Sequence, residues 1–246
     1  MPTLEDIIYN NLFKIQESSF VHSSFYYPLT GGSQHIANRL AEGIDIAYNY
    51  KVRHIERLDN YWMIDGNLFD HVVFCGNIKE LPSLLCNLQD DNLSLYNDFI
   101  EKLPFHGTTT AFVTIESMPY SWMYLPDSSI KCHRIIFTGN FSRNNNNTNQ
   151  LTATIEFTEF VTKEEIIQEL EHLPIKTTLI DYSFHPYTYP IQTEETRSTI
   201  SDYKNILKKH NLWLTGRFAD WEYYNMDAAI AASMSTCNEL QQKIRS

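Results

Sequence analysis

The run from His71 to Gly76, HVVFCG, has no polar alternation. A strand of this continuous apolar character is buried on both faces and asks for a layer of structure on each side. The preceding stretch 45–70 reads as two further strands, IAYNYKVRHIERL and YWMIDG, with turns at Leu58-Asp59-Asn60 and Gly66-Asn67. Residues 78–103 look helical or irregular. Further on, 107–117 (GTTTAFVTIES), 131–142 (KCHRIIFTGNFS) and 151–160 (LTATIEFTEF) are rich in β-branched and aromatic residues and predict an antiparallel platform. The run TTLIDYSFHPYTYPI is extended and ends at Pro190, and LWLTG at 212–216 is a short strand.

Helical patterns alternate with these strands. LEDIIYNNLFKI is a short helix near the start. Pro28 and Gly31-Gly32 form a turn, after which Ser33 caps a helix with Ile36, Leu40 and Ile44 in register. Thr162 and Glu165 form a capping box for residues 162–173. Residues 193–210 form a charged amphipathic helix. Asn225 caps a long C-terminal helix that carries Met226, Ile230, Ser233, Cys237, Leu240 and Ile244 on one face. The expected fold is mixed α/β, of the α+β kind, with a mostly antiparallel sheet and a long C-terminal helix.

Composition narrows the function classes. A chain of 246 residues that is 43% hydrophobic and 20% charged buries a substantial core. Its net charge of −11 disfavours a general nucleic-acid binder, which needs a basic surface to displace counterions. No stretch approaches the roughly 20 apolar residues of a membrane span, and the acidic start MPTLEDIIYNN lacks the features of a signal peptide. Four scattered cysteines without CxxC spacing indicate a reduced, cytoplasmic protein with free thiols. The sequons at Asn92, Asn140 and Asn146 then follow from an Asn-rich composition. There is no HExxH and no cluster of Cys and His, so no metal site is assigned. There is no GxSxG nucleophile elbow, and no catalytic residue is assigned.

The densest chemistry lies in GRFADWEYYNMDAAIAASM, Gly216–Met234. It connects a short strand to a helix start, where free N–H groups and a partial positive charge favour an anion. Arg217 adds a planar donor fork suited to phosphate or carboxylate, while Trp221, Tyr223 and Tyr224 offer rings and hydroxyls. The same residues also read as a capped helix with aromatics packed in the core and Arg217 in a structural ion pair.

This segment resembles the C-terminal flavin motif of the UDP-galactopyranose mutase and flavin amine oxidase/protoporphyrinogen oxidase superfamily: Gly-Arg, then aromatic-x-Tyr-x-x-Met-Asp, then a small-residue helix. Three more stretches are similar in order and content. FYYPLTGGSQHIANRLA resembles the family's Gly-Gly turn beside the flavin ring. YNYKVRHIERLDNYWMIDGNLFDHVVFCGN resembles the strands near the adenine end. PDSSIKCHRIIFTGNFS resembles the mutase stretch whose Arg contacts the sugar nucleotide. The resemblance implies a partial FAD-binding fold. It places Gly31, Gly32, Val52, Gly216, Arg217, Met226 and Asp227 towards FAD, and Arg134, Trp221, Tyr223 and Asn225 towards the substrate, a UDP-sugar; Asn225 stands where bacterial mutases carry an acid.

The family begins with a strand, a GxGxxG turn and a helix that hold the FAD pyrophosphate. No GxGxxG occurs in this chain. The expectation is a single incomplete flavoprotein unit over 1–246: a cap-region remnant (1–24), a cofactor-side part (25–80 and 211–246) and a substrate-side sheet with helices (81–210). FAD is the family's cofactor, and the chain alone is expected not to retain it. Three functions stay open: a mutase-like sugar-nucleotide isomerase of surface-polysaccharide synthesis, inactive alone; a remnant of an amine or porphyrinogen oxidoreductase; and a non-catalytic or split-gene subunit completed by a Rossmann-bearing partner chain.

Overall fold

The computed structural model describes residues 4–13, 24–146 and 150–245. In chain order the helices and strands are α1 (Leu4–Phe13), α2 (Gln34–Leu40), β1 (Ile55–Leu58), β2 (Tyr61–Ile64), β3 (Asn67–Phe69), β4 (Val72–Phe74), α3 (Leu81–Leu84), β5 (Leu85–Cys86), α4 (Asp91–Glu101), β6 (Phe105–Ile115), β7 (Trp122–Tyr124), β8 (Cys132–Ile136), β9 (Leu151–Phe157), α5 (Lys163–His172), β10 (Thr177–Pro190), α6 (Glu194–Lys209), β11 (Leu212–Leu214) and α7 (Met226–Arg245). Three sheets result, in the orders β3-β2-β1-β5, β10-β6-β9-β8-β7 and β11-β4. The mixed α/β class, the antiparallel pairing and the long C-terminal helix agree with the sequence expectation.

The chain divides into two units. One comprises Met1–Ile46, Ala111–Ile155 and Ile166–Asp181, the other Ala47–Thr110, Glu156–Glu165 and Tyr182–Ser246. In the second unit, β1 and β2 pair antiparallel from Ile55↔Ile64 to Leu58↔Tyr61, and β2 and β3 pair from Trp62↔Phe69 to Ile64↔Asn67. The two-residue turn at Asp65-Gly66 has positive φ at both positions (47° and 91°), as a primed hairpin turn requires. β11 runs parallel to β4, Leu212 beside Val72 and Leu214 beside Phe74. The core of this unit gathers Trp62, Ile78, Leu81, Ile100, Tyr203 and Trp221. α6 turns Thr196, Ile200, Tyr203 and Leu207 into it at helical spacing, and Thr193 Oγ1 caps the helix by accepting from the Thr196 N–H at 3.1 Å. The Thr162–Glu165 capping box forms reciprocally: Glu165 accepts from the Thr162 N–H at 2.9 Å and the Glu165 N–H donates to Thr162 Oγ1 at 3.3 Å.

In the first unit, β7 and β8 pair antiparallel, Trp122↔Ile136 and Tyr124↔Arg134. The turn before α2 is held by Ser142 Oγ, which donates to the Leu29 carbonyl at 2.6 Å.

Several local expectations are corrected. Stretch 45–70 yields three short strands where two were read, and residues 45–54 are not strand. HVVFCG is not buried on both faces: Val72 is buried but Val73 is 41% exposed. Ser33 has helical dihedrals and makes no side-chain cap bond, and α2 buries none of its residues. In α7 the half-buried face is Ala229, Ala232, Ser233, Thr236 and Leu240, whereas Met226, Ile230, Met234 and Ile244 face outward. Small side chains let the helix approach closely, so the larger apolar stripe lies on the other side.

Candidate functional site

The two parallel strands β4 and β11 end side by side, and in α/β sheets the carboxyl ends of strands are where ligands sit. The Thr215 N–H donates to the Phe74 carbonyl at 3.2 Å, and the Ile78 N–H donates to the Phe218 carbonyl at 3.1 Å. These bonds bring together the loop after β4 and the connection from β11 to α7. Gly216 has φ 101°, and a side chain there would be strained. Its N–H donates to Asp220 Oδ2 at 3.0 Å, and the Asp220 N–H donates back to its carbonyl at 2.8 Å. Asp220 is buried and ion-paired with Lys204 of α6. A buried carboxylate needs such partners to offset its lost hydration.

Arg217 is fixed from several directions. Nη1 donates to the Tyr224 carbonyl and Nη2 to the Thr188 carbonyl, both at 2.7 Å. The guanidinium carbon lies 4.7 Å from the Tyr223 ring centroid and 5.4 Å from that of Tyr189. Tyr189 and Tyr223 are stacked, with centroids 5.5 Å apart and planes 12° apart. Cation, rings and carbonyls thus form one rigid cluster. Tyr223 remains 54% exposed.

Trp221 is fully buried, with φ 52°. Its Nε1 donates to the Ile191 carbonyl at 3.2 Å, and its own carbonyl accepts from Gln192 Nε2 at 2.6 Å. It is the floor of the connection. The Asn225 carbonyl accepts the Ala229 N–H at 2.9 Å, which makes Asn225 the entry to α7. Exposed Met226 and Asp227 follow in its first turn. Burial raises the Tyr224 hydroxyl above its ordinary pKa, helped by the Asp220 and Glu222 carboxylates. Val52 packs half-buried against the core of this unit.

Gly31, Gly32 and Arg134 belong to the other unit. Gly31 and Gly32 have φ of 80° and 60°, and the Tyr27 hydroxyl lies 3.4 Å from where a Gly32 Cβ would stand. Arg134 faces Tyr124 across the β7–β8 pair, its guanidinium carbon 5.8 Å from the ring centroid. The structure therefore groups Val52, Gly216, Arg217, Trp221, Tyr223, Asn225, Met226 and Asp227 in one unit and Gly31, Gly32 and Arg134 in the other.

Sequence reasoning missed two features. Thr188 and Tyr189 hold Arg217 and Tyr223 from 29 and 34 residues away in sequence. The first unit also contains an aromatic cleft of about 540 Å³, lined by Phe25, Tyr27, Tyr120, Trp122 and Phe141 with Asn140 at its edge. Phe25 and Phe141 meet edge to face at 4.9 Å, and Phe25 lies 5.8 Å from Trp122. The density of aromatics in FYYP and MPYSWMY was the available signal. Asn77, in the loop after β4, caps the following turn by accepting from the Lys79 N–H at 3.1 Å, while its buried Nδ2 makes no hydrogen bond. Among the described residues no group of three or more His, Cys, Asp or Glu is placed to hold a metal, and no helix is long and apolar enough to cross a membrane.

No family model and no curated protein matches the sequence. Solved structures do match the fold. A reduced UDP-galactopyranose mutase superposes with TM-score 0.75 at 16% identity, over 90% of this chain and 53% of its own. A protein described as a putative protoporphyrinogen oxidase, from Exiguobacterium sp., gives 0.66 at 16% over 86% of this chain and 51% of its own. An oxidoreductase from Methanosarcina mazei gives 0.53 at 9% over 76% and 48%. The chain spans about half the length of these structures and shares its mixed α/β fold with that part of them.

Proposed function

We propose that this chain is a flavoprotein-type unit related to sugar-nucleotide mutases. In this reading Gly31, Gly32, Val52, Gly216, Arg217, Met226 and Asp227 line the side facing FAD. Arg134, Tyr223 and Asn225 face the diphosphate and sugar of a UDP-sugar, and Trp221 supports that side from beneath. The observation that carries the reading is the Arg217–Tyr223–Tyr189 cluster, held rigidly at the entrance to α7 and at the ends of the parallel pair. A preorganised ring platform beside a helix N-terminus suits a ligand that is part planar and part anionic.

The residues present fit the ring side of FAD better than its pyrophosphate. At Gly76 a Cβ would lie 2.8 Å from the Phe74 ring, so glycine there makes room for that ring, and the buried Asn77 Nδ2 beside it makes no hydrogen bond. No glycine turn of the GxGxxG type is present to cradle phosphates. When bound, a flavin supplies the electron-pair chemistry; the chain's own residues bind, orient and exclude water. We therefore expect activity only together with a polypeptide that carries the glycine turn. A second reading, an amine- or porphyrinogen-type oxidoreductase unit, is supported by the 0.66 TM-score to the protein described as a protoporphyrinogen oxidase.

Titration calorimetry with UDP-galactose and with a porphyrinogen analogue separates the two. The mutase reading expects weak, saturable UDP-galactose binding that is reduced in Arg134→Ala. Binding of the porphyrinogen analogue alone supports the second reading.

A further inference from the structure

Between α6, α7 and β11 lies a cavity of about 310 Å³ that neither Arg217 nor Tyr223 lines. β11 pairs with β4 and, among the described residues, with no other strand. Trp213 and Leu214 point to opposite faces of β11 and both line the cavity, which therefore opens on the strand's unpaired edge. Three ion pairs frame it: Arg197 with Glu222 at 3.1 Å, Lys204 with Asp220, and Lys208 with Glu239. The charges of this frame cancel. Ser201, Asn205 and Thr236 add two hydroxyls and an amide to the wall.

One group in the wall is left over. Trp213 is 4% exposed, yet its Nε1 makes no hydrogen bond. A buried donor without an acceptor is costly, and folded proteins rarely keep one. The cations around the ring cannot supply the acceptor. The Lys208 ammonium lies 4.8 Å and the Lys243 ammonium 5.8 Å from the indole centroid, and an ammonium only donates. Lys208 is paired with Glu239, and Lys243 donates to the Lys208 carbonyl at 2.8 Å. Each ammonium carries three N–H donors, so both keep these partners and still have donors for an oxygen beside the ring.

We propose that this cavity binds a small hydroxylated organic anion, a phosphate monoester or a carboxylate. Its anionic oxygens accept from Trp213 Nε1 and from the Lys208 ammonium, and its hydroxyls meet Ser201, Asn205 and Thr236. Charge selects an anion: with Lys243 the surroundings hold four cations (Arg197, Lys204, Lys208, Lys243) against three carboxylates (Asp220, Glu222, Glu239). Size selects an organic one, because the cavity is of the order that holds a small molecule and exceeds what a bare oxyanion fills.

The test follows the indole N–H signals of the isotope-labelled full chain by two-dimensional NMR. The chain has four tryptophans, and the Trp213 signal is the one lost in Trp213→Phe. The probes are glycerol phosphate and glycerate, with glycerol and inorganic phosphate beside them at constant ionic strength. Saturable movement of the Trp213 signal is expected with at least one of the two organic anions, and none with glycerol. Calorimetry should show the dissociation constant raised about tenfold or more in Trp213→Phe, which keeps a ring and loses the donor. Lys208→Met, which keeps the stem and loses the charge, should weaken binding by about as much. Lys208 is half-exposed, so this second variant decides the matter if circular dichroism shows Trp213→Phe to be unfolded. No binding of either organic anion up to about 10 mM overturns the proposal. So does binding that well-folded variants leave unchanged, or a response to glycerol equal to that of the anions. Inorganic phosphate binding as tightly as the better organic anion would mean an adventitious ion only, and would overturn it as well.

Discussion

Arg217 Nη2 donates to the Thr188 carbonyl at 2.7 Å, tying the connection after β11 to the end of β10. With the second bond to the Tyr224 carbonyl, one guanidinium holds both sides of the exposed Tyr223. Arg217→Ala is expected to destabilise the fold by about 2–3 kcal/mol, since hydrogen bonds from charged groups contribute roughly 1.5–3 kcal/mol each before relaxation. Arg217→Lys should recover little of this, because a point charge cannot span two carbonyls. Urea midpoints of the two variants measure the difference. Faster amide exchange confined to Tyr223–Asn225 would show that the loss is local.

Asp220 and Lys204 form an asymmetric pair. The carboxylate side chain is 5% exposed and the ammonium side chain 35%. Removing the exposed partner leaves a buried charge, and removing the buried one does not. Lys204→Met is therefore expected to cost about 3 kcal/mol, the low end for a broken buried pair. In Lys204→Met with Asp220→Asn much of that loss should return. Thermal unfolding of the four species of this cycle reads the coupling directly; equal, additive losses would contradict it.

Acid stability should depend on Asp90. Its carboxylate accepts from the Asn92 N–H at 3.0 Å as the cap of α4, and lies 3.1 Å from His210 Nε2. The His210 bond, followed by the bonds from Asn92, holds its pKa below the ordinary Asp value. A depressed folded pKa means stability that is fully present above the ordinary value, near 3.9, and lost as pH falls through the lower, folded one. Asp90→Ala should lower stability at neutral pH by about 0.5–2 kcal/mol for the lost cap and flatten the acid limb below about pH 4. Denaturant titrations at neutral and acid pH check both effects.

The legible parts of this fold were those set by local chemistry. Thr162 and Glu165 announced their capping box, and the amphipathic pattern over 193–210 announced α6, while the turn expected at Gly66-Asn67 falls one residue earlier, at Asp65-Gly66. Two elements were misread because packing partners, not periodicity, decided them. Val73 sits in an apolar run, but no layer of the described structure covers it fully. The inward face of α7 is chosen by the small Ala229, Ala232 and Ser233, not by the larger Met226 and Ile230. Within the candidate site the Gly216–Asp227 segment stood out by composition alone. Thr188, Tyr189 and Lys204 act on it from a distant strand and helix, and their own periodicity does not reveal that contact.

Fluorescence titration of FAD into the purified chain tests the central proposal most directly, with Arg217→Ala measured beside the wild type. A missing phosphate cradle forfeits several charge-assisted hydrogen bonds at roughly 1.5–3 kcal/mol each, or several orders of magnitude at about 1.4 kcal/mol per decade. The account predicts weak, saturable quenching by the chain alone, weaker still in Arg217→Ala, and tight binding only when a polypeptide bearing a GxGxxG unit is added. Tight stoichiometric binding by the chain alone, unchanged in Arg217→Ala, would contradict it.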